Sequence, residues 1–522
     1  MRQAKLLLPV ALLVLVLSLA AFLRFSNLRT NPGWYSDEGA FINVAENLSQ
    51  GKWQYFALQG SPLLVGRPPL FFVVLAGAFK LFGVDILVLR GLTSSFAVLT
   101  IALLYLMVRE MFDGWLALLS AGILAVYPWA VVYSRIGFTY NQLAFLLVTS
   151  IYAAWKYAGG RQVGWGVVAS VAAGLALATD YLGVVAVGLV GAAFLVYARR
   201  RLVIGALLTT LTLLIVLAPI VISDPSTLVK DIQFTLFRVS IPPLMQVVNV
   251  VLLYGELIRR EVWVPLGLVG LFLLPGQRAR SMILFVVCAT VLLLVRSLAP
   301  VGRNLHHLIP LFPLLAVGVA SFLSRAVPRS LEIVRAGLDA LCSRLMGVYS
   351  AGSTSVLWRG SRAVLISGIV SVFVMSPFAW MIIMDVGDSL YGSSMILASE
   401  EHGLSAESDV SAVIHYLSSR VTSRDVVLAS PQVAWTMPSL RADFAQALAF
   451  DGKDARVLPD LPRQRFAFDC SLASASYVVL DPLTLEWSPQ LIPAIKGLIS
   501  EVLEWPLVFT AGELKVYRNP TK

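Results

Sequence analysis

Long apolar runs separated by short polar loops dominate the first 384 residues of the chain. A helix that crosses a membrane needs about 17–25 apolar residues, because each residue advances it by only about 1.5 Å. The pattern therefore predicts a polytopic α-helical membrane protein with about 11 transmembrane helices. The predicted spans are residues 6–22, 91–108, 115–133, 141–157, 163–178, 181–198, 202–222, 263–274, 281–295, 308–323 and 363–384.

The apolar run at 70–82 is a separate case, since it contains Lys80 and has only about 13 residues, a length more typical of interfacial than of spanning helices. Treating this run as a span would move most arginine-rich short loops, such as Arg199–Arg201, to the outside, against the positive-inside bias. We therefore expect an interfacial helix at 70–82, within a first outer loop at 25–90.

The first span follows Arg2 and Lys5, as the apolar segment of a signal peptide would. Its apolar run is longer than the usual 7–15 residues or so, and further spans follow, so we interpret it as a retained anchor. The basic leader predicts a cytoplasmic N-terminus. Residues 1–384 thus form the predicted transmembrane domain.

From about residue 385 charged residues and prolines return, and the hydrophobic pattern shortens. The runs at 426–429 and 477–480 are typical of strands, and the stretch 410–421 is amphipathic. Alternation of this kind predicts a small C-terminal α/β domain at residues 385–522. Since it follows an outward crossing, we expect it to be extracytoplasmic.

Composition supports a membrane protein and argues against other classes. Hydrophobic residues make up 58% of the chain and charged residues 13%, with a mean hydropathy of +0.80, whereas soluble domains have about 25% charged residues. The net charge is +10, but the basic residues are spread over short loops, so we expect no nucleic-acid partner. The three cysteines offer no external disulfide framework, and no spacing typical of a structural metal site occurs.

The first outer loop carries Tyr35, Ser36, Asp37 and Glu38. Ser36 is a suitable N-cap for an amphipathic helix at 40–48, with the two acids in its first turn. Acids at a helix start are common, because the helix dipole favours negative charge there. The functional alternative is a carboxylate at the membrane surface that takes a proton from a hydroxyl or holds a cation.

Two arginines stand at predicted outer membrane boundaries. Arg67 precedes two prolines and the interfacial helix; it either extends to the lipid headgroups or binds a phosphate. Arg135 follows Ser134 at the outer end of a hairpin, with Asn141 shortly after it. An arginine on the outer side runs against the positive-inside bias, which favours a functional role.

A third basic element, with Arg303, His306 and His307, enters the tenth span from outside. Adjacent histidines do not share a helix face, so we do not interpret them as a metal pair. Three basic elements and one acidic pair are thus predicted to converge on the outer membrane surface. That layout suits an anionic lipid substrate whose phosphate lies at that surface.

In this order and spacing the elements resemble the polyprenyl-phosphate-sugar-dependent glycosyltransferases of the GT-C superfamily. The resemblance covers roughly residues 1–325 and is greatest to the protein mannosyltransferase and aminoarabinose-transferase (PMT/ArnT-like) branch. Its motifs are the acidic dipeptide after the first span, the basic-Pro element opening a short apolar helix, Arg90, the Ser-Arg element, and the stretch Arg303, His307, Pro310 and Pro313.

The resemblance implies a lipid-phosphate sugar donor and a lipid, glycan or protein acceptor, among membrane lipids. Asp37 would be the general base on the acceptor hydroxyl, with Glu38 in support and Tyr35 and Asn141 as acceptor or secondary residues. Phosphate of the donor would be bound by three arginines and two histidines, Arg67, Arg135, Arg303, His306 and His307. Transfer would proceed by single displacement with inversion at the anomeric carbon.

One departure concerns metal binding. Many members of the family carry a second Asp after the Ser-Arg element, whereas the nearest position here is Asn141. Asn is a weak metal ligand and cannot act as a base, so a two-carboxylate metal site is not expected. A divalent cation near Asp37 stays open.

Two other classes of function remain as alternatives. A secondary transporter would place ionisable residues near the middle of the membrane and often has inverted repeats; here the spans are nearly free of charge apart from Asp180 at a boundary. A non-catalytic scaffold for the C-terminal domain would need neither the external acidic pair nor the long outer loops.

Overall fold

The computed structural model describes residues 2–60, 67–223, 261–297, 305–325, 376–391, 404–455 and 461–522, together with residues 225, 226, 229, 248 and 252. Arg303, most of the basic segment after residue 325 and the first half of the predicted span 363–384 lie outside the described residues.

The helices of the first part follow the predicted apolar runs, including the two helices predicted in the first outer loop. Helices α1 to α7 are Arg2–Phe25, Ser36–Ser49, Leu70–Phe82, Ile86–Met111, Gly114–Val126, Pro128–Ser134 and Tyr140–Gly160. Helices α8 to α14 are Val163–Thr179, Val184–Tyr197, Leu202–Ser223, Trp263–Phe272, Gln277–Ser297, 312–325 and 376–391. Short 3-10 turns are formed by Tyr181–Gly183, Arg199–Arg201 and Leu305–Leu311.

Several of these helices present apolar side chains outward. On α10, Val203, Leu207, Leu211 and Leu214 follow a helical spacing and are each about half exposed or more. A stripe of this kind is unfavourable in water and favourable against lipid tails. Among the described residues, five helices are long and apolar enough to cross a membrane, or up to six when the bent pair α5 and α6 is one span.

The predicted span at 115–133 is not one straight helix, because the chain bends by 60° between α5 and α6. Pro128 begins α6, where its missing N–H costs nothing. The carbonyl groups of Leu124 and Ala125 at the end of α5 accept hydrogen bonds from the guanidinium of Arg24, at 2.9 and 2.8 Å. A buried arginine from α1 therefore satisfies the carbonyls that the break leaves open.

The helix expected at 70–82 is present as α3, with 13 residues. The next predicted span was placed too late, since α4 begins at Ile86 rather than at residue 91. Asp85 caps it by accepting a hydrogen bond from the Leu87 N–H at 2.7 Å. Arg90 consequently lies one turn inside the helix, where its side chain points into the protein and is fully buried.

The C-terminal part is an α/β unit built on a mixed five-stranded sheet of order β6-β5-β7-β9-β8. Strand β5 is parallel to β6 and β7, whereas β9 is antiparallel to β7 and β8. The sheet strands β5 to β9 are Val426–Ala429, Leu440–Ala442, Ala475–Leu480, Leu507–Ala511 and Leu514–Arg518. Outside this sheet, the short strands β1 to β4 are Trp34–Tyr35, Gln54–Tyr55, Leu58–Gln59 and Leu404–Ser405, and they form two pairs, β1 with β4 and β2 with β3. Its helices α15 to α19 are Glu407–Ser418, Pro431–Ala434, Phe444–Phe450, Ser488–Leu491 and Ile495–Leu503.

The first outer loop shares its hydrophobic core with this sheet rather than with the helix bundle. Phe41 of α2 and Phe72 of α3 belong to the same buried cluster as Val427 and Val478 of the sheet. Strand β1 pairs with β4 in antiparallel register, Trp34 opposite Ser405. The C-terminal unit is thus packed directly on the segment that carries the acidic pair.

The opposite ends of the helices carry basic loops. Lys156 pairs with Glu110 at 2.5 Å, Arg201 donates to the Arg161 carbonyl at 2.9 Å, and the Arg278 guanidinium lies over the Tyr197 ring. Since α4 and α7 start beside α2 and run away from it, this basic end is about 30 Å from the acidic pair. These basic loops and the acidic pair therefore lie at opposite ends of the helices.

Candidate active site

Helix α2 begins at Ser36, so the prediction that Ser36 is the N-cap is wrong by one residue; the cap position is Tyr35. The Glu38 side chain folds back to accept a hydrogen bond from the Tyr35 N–H at 3.0 Å. This is the reciprocal arm of a capping box, which fixes the start of the helix. Phe41 and Val44 on the inner face are buried, as the amphipathic pattern predicted.

Glu38 is also held by Arg90 of helix α4. Its carboxylate makes two bonds to Arg90, Oε1 to Nε at 2.8 Å and Oε2 to Nη2 at 2.6 Å, and also accepts from the Gly137 N–H at 2.9 Å. Arg90 in turn donates to the carbonyls of Leu28 and Gly33. Glu38 therefore joins α2, α4 and the loop after α6, and its exposed fraction is 1%.

Asp37, the neighbouring acid, is in a different environment. Its side chain is 44% exposed, and its nearest charged partner is Arg67, with 4.0 Å between Oδ2 and Nη2. At that distance the two groups attract each other without a hydrogen bond. The acidic pair is thus divided: Glu38 is fixed in the interior, and Asp37 stands at an accessible helix start.

Arg67 lies at the centre of a group of residues from three loops. Its Nη1 donates to Asp180 Oδ2 at 2.8 Å and approaches Thr139 Oγ1 at 3.4 Å. The guanidinium carbon lies 4.8 Å from the centre of the Tyr140 ring, a cation–π distance. Although burial opposes its charge, Tyr140, Asp180 and Asp37 hold the pKa of Arg67 above its ordinary value, so it is a permanent cation.

Both histidines of the third basic element reach this group. The His306 ring stacks on Phe138 with 4.6 Å between centroids, and His307 meets Tyr140 edge-on at 5.2 Å. Tyr35 is part of the same aromatic wall, 6.3 Å from His306. The two histidines are buried, and Tyr140, whose ring contacts both, also lies against Arg67.

The other predicted residues are placed differently. Arg135 has no exposed surface and donates to the Ser26 carbonyl, so the structure does not bring it to the surface that holds Asp37 and Arg67. Asn141 is buried, and its side-chain amide donates to the Tyr133 and Phe138 carbonyls at 3.1 and 3.4 Å. Asn141 therefore shapes the hairpin that carries Phe138.

Sequence reasoning missed the role of Asp180, which was noted only as a charge at a span boundary. It caps the turn after α8 by accepting the Leu182 N–H at 3.0 Å and at the same time binds Arg67. Two signals in the sequence point to it: a lone acid between two apolar runs, and its position on an outer hairpin. Neither identifies Arg67 as the partner, because the two residues are over 100 positions apart.

The donor set near Asp37 does not suit a divalent cation. In the described ranges, no three His, Cys, Asp or Glu side chains come together as metal ligands. The nearest charged neighbour of Asp37 is a guanidinium, and the nearby carboxylate of Asp180 is already paired with it. The site is therefore organised around fixed protein cations.

Comparison with known proteins shows which families the chain resembles. Residues 66–223 match the family model of dolichyl-phosphate-mannose-protein mannosyltransferases. A search of curated protein sequences finds no match to this chain.

Two solved structures share the fold over nearly the whole chain. One is ArnT from Cupriavidus metallidurans bound to undecaprenyl phosphate, with a TM-score of 0.60 and 16% identity over 99% of this chain and 98% of that one. The other is the archaeal oligosaccharyltransferase AglB from Archaeoglobus fulgidus, in complex with an inhibitory peptide and a dolichol-phosphate. Its TM-score is 0.56, with 14% identity over 94% of this chain and 72% of that one. The predicted resemblance is therefore confirmed over residues 66–223 by the mannosyltransferase family model, and the fold of nearly the whole chain is shared with ArnT and AglB.

Proposed function

We propose that this protein is a membrane glycosyltransferase that moves a sugar from a polyprenyl-phosphate donor to an acceptor hydroxyl, with Asp37 as general base. The acceptor oxygen forms the new bond to the anomeric carbon, and its proton passes to the Asp37 carboxylate. The bond from that carbon to the phosphate oxygen breaks, and its electron pair leaves with the polyprenyl phosphate. A single displacement of this kind inverts the anomeric configuration.

The observation that carries the proposal is that Glu38 is buried and fully bonded, whereas the adjacent Asp37 is accessible. Glu38, with all its bonds inside the protein, fixes the first turn of α2 and thereby the backbone position of the neighbouring Asp37. Asp37 has no hydrogen bond to a described residue and is accessible, as a base that must receive a substrate proton should be. If Asp37 served only to stabilise the helix start, its position would not need to be fixed by the buried Glu38.

Arg67 supports the same proposal from the donor side. A phosphodiester donor carries one negative charge, and the leaving phosphate gains a second as the bond breaks. A permanent cation already fixed beside the base stabilises that developing charge without reorganisation. The nearby His306 and His307 add further polar groups on the same side; Arg303, two residues before the described turn, is proposed to extend this set.

The position of the site determines the proposed orientation. Asp37 lies at the end of the helices opposite the basic loops around Arg161 and Arg201. The positive-inside bias favours a cytoplasmic position for the basic end, which supports our proposal that transfer and the C-terminal α/β unit are extracytoplasmic. A hydroxyl of a lipid, glycan or protein would reach Asp37 from that side.

A transfer assay tests the proposal. Purified protein in detergent is given a panel of radiolabelled polyprenyl-phosphate sugars, with a membrane extract as acceptor. We expect label from one donor to enter the extract, and Asp37→Asn to lower kcat by about 10²–10⁴-fold. The product of the active donor is then examined by NMR, with the opposite anomeric configuration expected.

Asp85→Asn is the matched control. Asp85 has a comparable exposure of 39%, and its asparagine variant can still cap α4, so transfer should be unchanged. Full activity of Asp37→Asn would remove the base assignment. Absence of transfer with every donor, from protein that elutes as a folded monodisperse peak, would contradict the enzyme proposal, and uptake of a solute by proteoliposomes without donor would favour a transporter.

A further inference from the structure

The contacts of Arg67 are unevenly divided between its two terminal nitrogens. Nη1 is engaged by Asp180 at 2.8 Å and by Thr139 at 3.4 Å. Nη2 faces Asp37 across 4.0 Å, and the ring of Tyr140 lies against the guanidinium. One side of the guanidinium is thus anchored, and the other is directed to the space beside the proposed base.

We infer that Asp180 is a positioning residue that holds Arg67 in this orientation and keeps it from closing on Asp37; the inference rests on the function proposed above. Asp180 forms an ion pair with Arg67 and accepts the Leu182 N–H. Asp180 binds Nη1 of Arg67, so that Nη2 can bind a negatively charged group of the substrate.

The local structure equips Asp180 for this role. Its Oδ1 accepts the Leu182 N–H at 3.0 Å, which caps the turn Tyr181–Gly183, while Oδ2 binds Arg67. A side chain anchored to the backbone through one oxygen cannot follow the arginine if the arginine moves. The turn itself is tight, because a Cβ on Gly183 would overlap the backbone of Ala176. Asp180 is therefore a fixed point for a long and otherwise flexible side chain.

Without the charge of Asp180, the nearest carboxylate available to Arg67 is Asp37. Glu38 is already committed to Arg90, so it cannot serve as an alternative partner. Closing the 4.0 Å gap would form a direct ion pair that occupies the base and withdraws the cation from the phosphate. The other ionisable groups facing this region are Tyr140 against Arg67, His306 near Asp180 and Tyr55 near Asp37.

The test is Asp180→Asn, which keeps the size of the side chain and its capping oxygen but removes the charge. We expect kcat to fall by about tenfold or more, while KM for the donor changes by less than about threefold. The reason is that the charge on the leaving phosphate doubles only as the transition state is approached, so a misplaced cation is felt mainly in kcat. Asp180→Glu, which retains the charge, should recover most of kcat.

A double variant separates positioning from a general loss of structure. Arg67→Gln should lower kcat by itself, and adding Asp180→Asn to it should cause no further loss, because Asp180 acts only through Arg67. The double variant also lacks the unpaired buried charge of either single variant, so it remains testable if Asp180→Asn folds poorly. Independent, additive losses would overturn the inference.

The outcomes also distinguish this inference from the function on which it rests. If Asp37→Asn is inactive while Asp180→Asn transfers sugar with unchanged kcat, only the positioning role is wrong. If Asp37→Asn is as active as the unaltered protein, the proposed base fails and the positioning role fails with it.

Discussion

Glu38 and Arg90 form an ion pair that is closed to solvent. The Arg90 Nη2 lies 2.6 Å from Glu38 Oε2, and the two side chains are 1% and 0% exposed. Removing water from two charges costs several kcal/mol each, which only good geometry and further hydrogen bonds can offset. Here the pair is bidentate, and backbone N–H and C=O groups occupy the remaining positions.

We predict that Glu38→Gln lowers the free energy of unfolding by about 3–5 kcal/mol, because it leaves the Arg90 charge buried without a partner. Chemical unfolding in detergent, followed by intrinsic fluorescence, measures the change. The exposed pair of Arg29 and Asp85 is the control: Asp85→Asn should cost less than about 1 kcal/mol. Equal stability of the two variants would show that the buried pair is not a structural support.

We predict that Gly39→Ala disrupts the packing of the C-terminal unit on α2. A Cβ at this position would overlap the backbone carbonyl of Pro431 in α16, and backbone cannot move aside as a side chain can. The variant should become more sensitive to proteolysis between the two parts and should lose transfer activity.

Gly77→Ala in α3 is the matched control for that variant. A Cβ on Gly77 meets nothing within 4 Å. Replacing a helical glycine by alanine should then stabilise the protein slightly, by up to about 1 kcal/mol. A Gly39→Ala protein as protease-resistant as Gly77→Ala would contradict the close approach of α2 and α16.

We predict a pH dependence at the contact between Tyr55 and Asp443, which are 2.5 Å apart. Burial raises the pKa of Asp443 above its ordinary value near 3.8. The folded state then binds the proton more tightly than the unfolded chain. The stability that Asp443 contributes is therefore fully present below its ordinary pKa and is lost as the pH rises toward the folded value.

The Asp443→Asn variant measures this effect, since its side chain does not titrate. Thermal unfolding of both proteins between pH 4 and pH 7 should show the unaltered protein losing stability relative to the variant as the pH rises. A difference in unfolding temperature that stays constant over this range would show that Asp443 does not titrate abnormally.

We predict that Cys470 does not react with maleimides in the folded protein. Its thiol is fully buried, and burial raises its pKa to about 12. Only about one thiol in 10⁴ is then ionised at pH 8, and the thiolate is the reactive form. Labelling measured by mass spectrometry should appear only after denaturation.

A companion variant tests the side of the membrane. Ser408→Cys, at an exposed position of the same unit, should be labelled by a membrane-impermeant maleimide in intact cells after Cys288 and Cys342 are replaced by serine. Labelling only after the cells are opened would place the C-terminal unit in the cytoplasm.

The sequence predicted those elements whose formation depends on local pattern. Helix α3 and strand β5 have the expected bounds, because a mainly apolar run with polar or turn-forming residues on both sides defines each of them. The bend at Tyr127 was not predicted. It depends on Arg24, about 100 residues away, reaching the carbonyls at the end of α5.

In the candidate site, too, the features that depend on local pattern were predicted and those that depend on distant contacts were not. Asp37 was singled out because an acid beside a predicted helix start on the outer side is visible in the sequence. The unlike environments of Asp37 and Glu38 were not, since they depend on which side of α2 faces Arg90. Asp180 was undervalued for the same reason: its meaning comes from Arg67, which only the folded chain brings within 2.8 Å.

The pairing of β1 with β4 has a practical consequence for protein engineering. Trp34 and Tyr35, immediately before the acidic pair, form backbone pairs with Ser405 and Leu404 at the entrance to the C-terminal unit. That unit is therefore no interchangeable module, and cutting the chain before residue 404 would unpair the strand that leads into α2. A chimera with a related enzyme should exchange residues 33–60 together with the C-terminal unit, so that both halves of the shared core come from one parent.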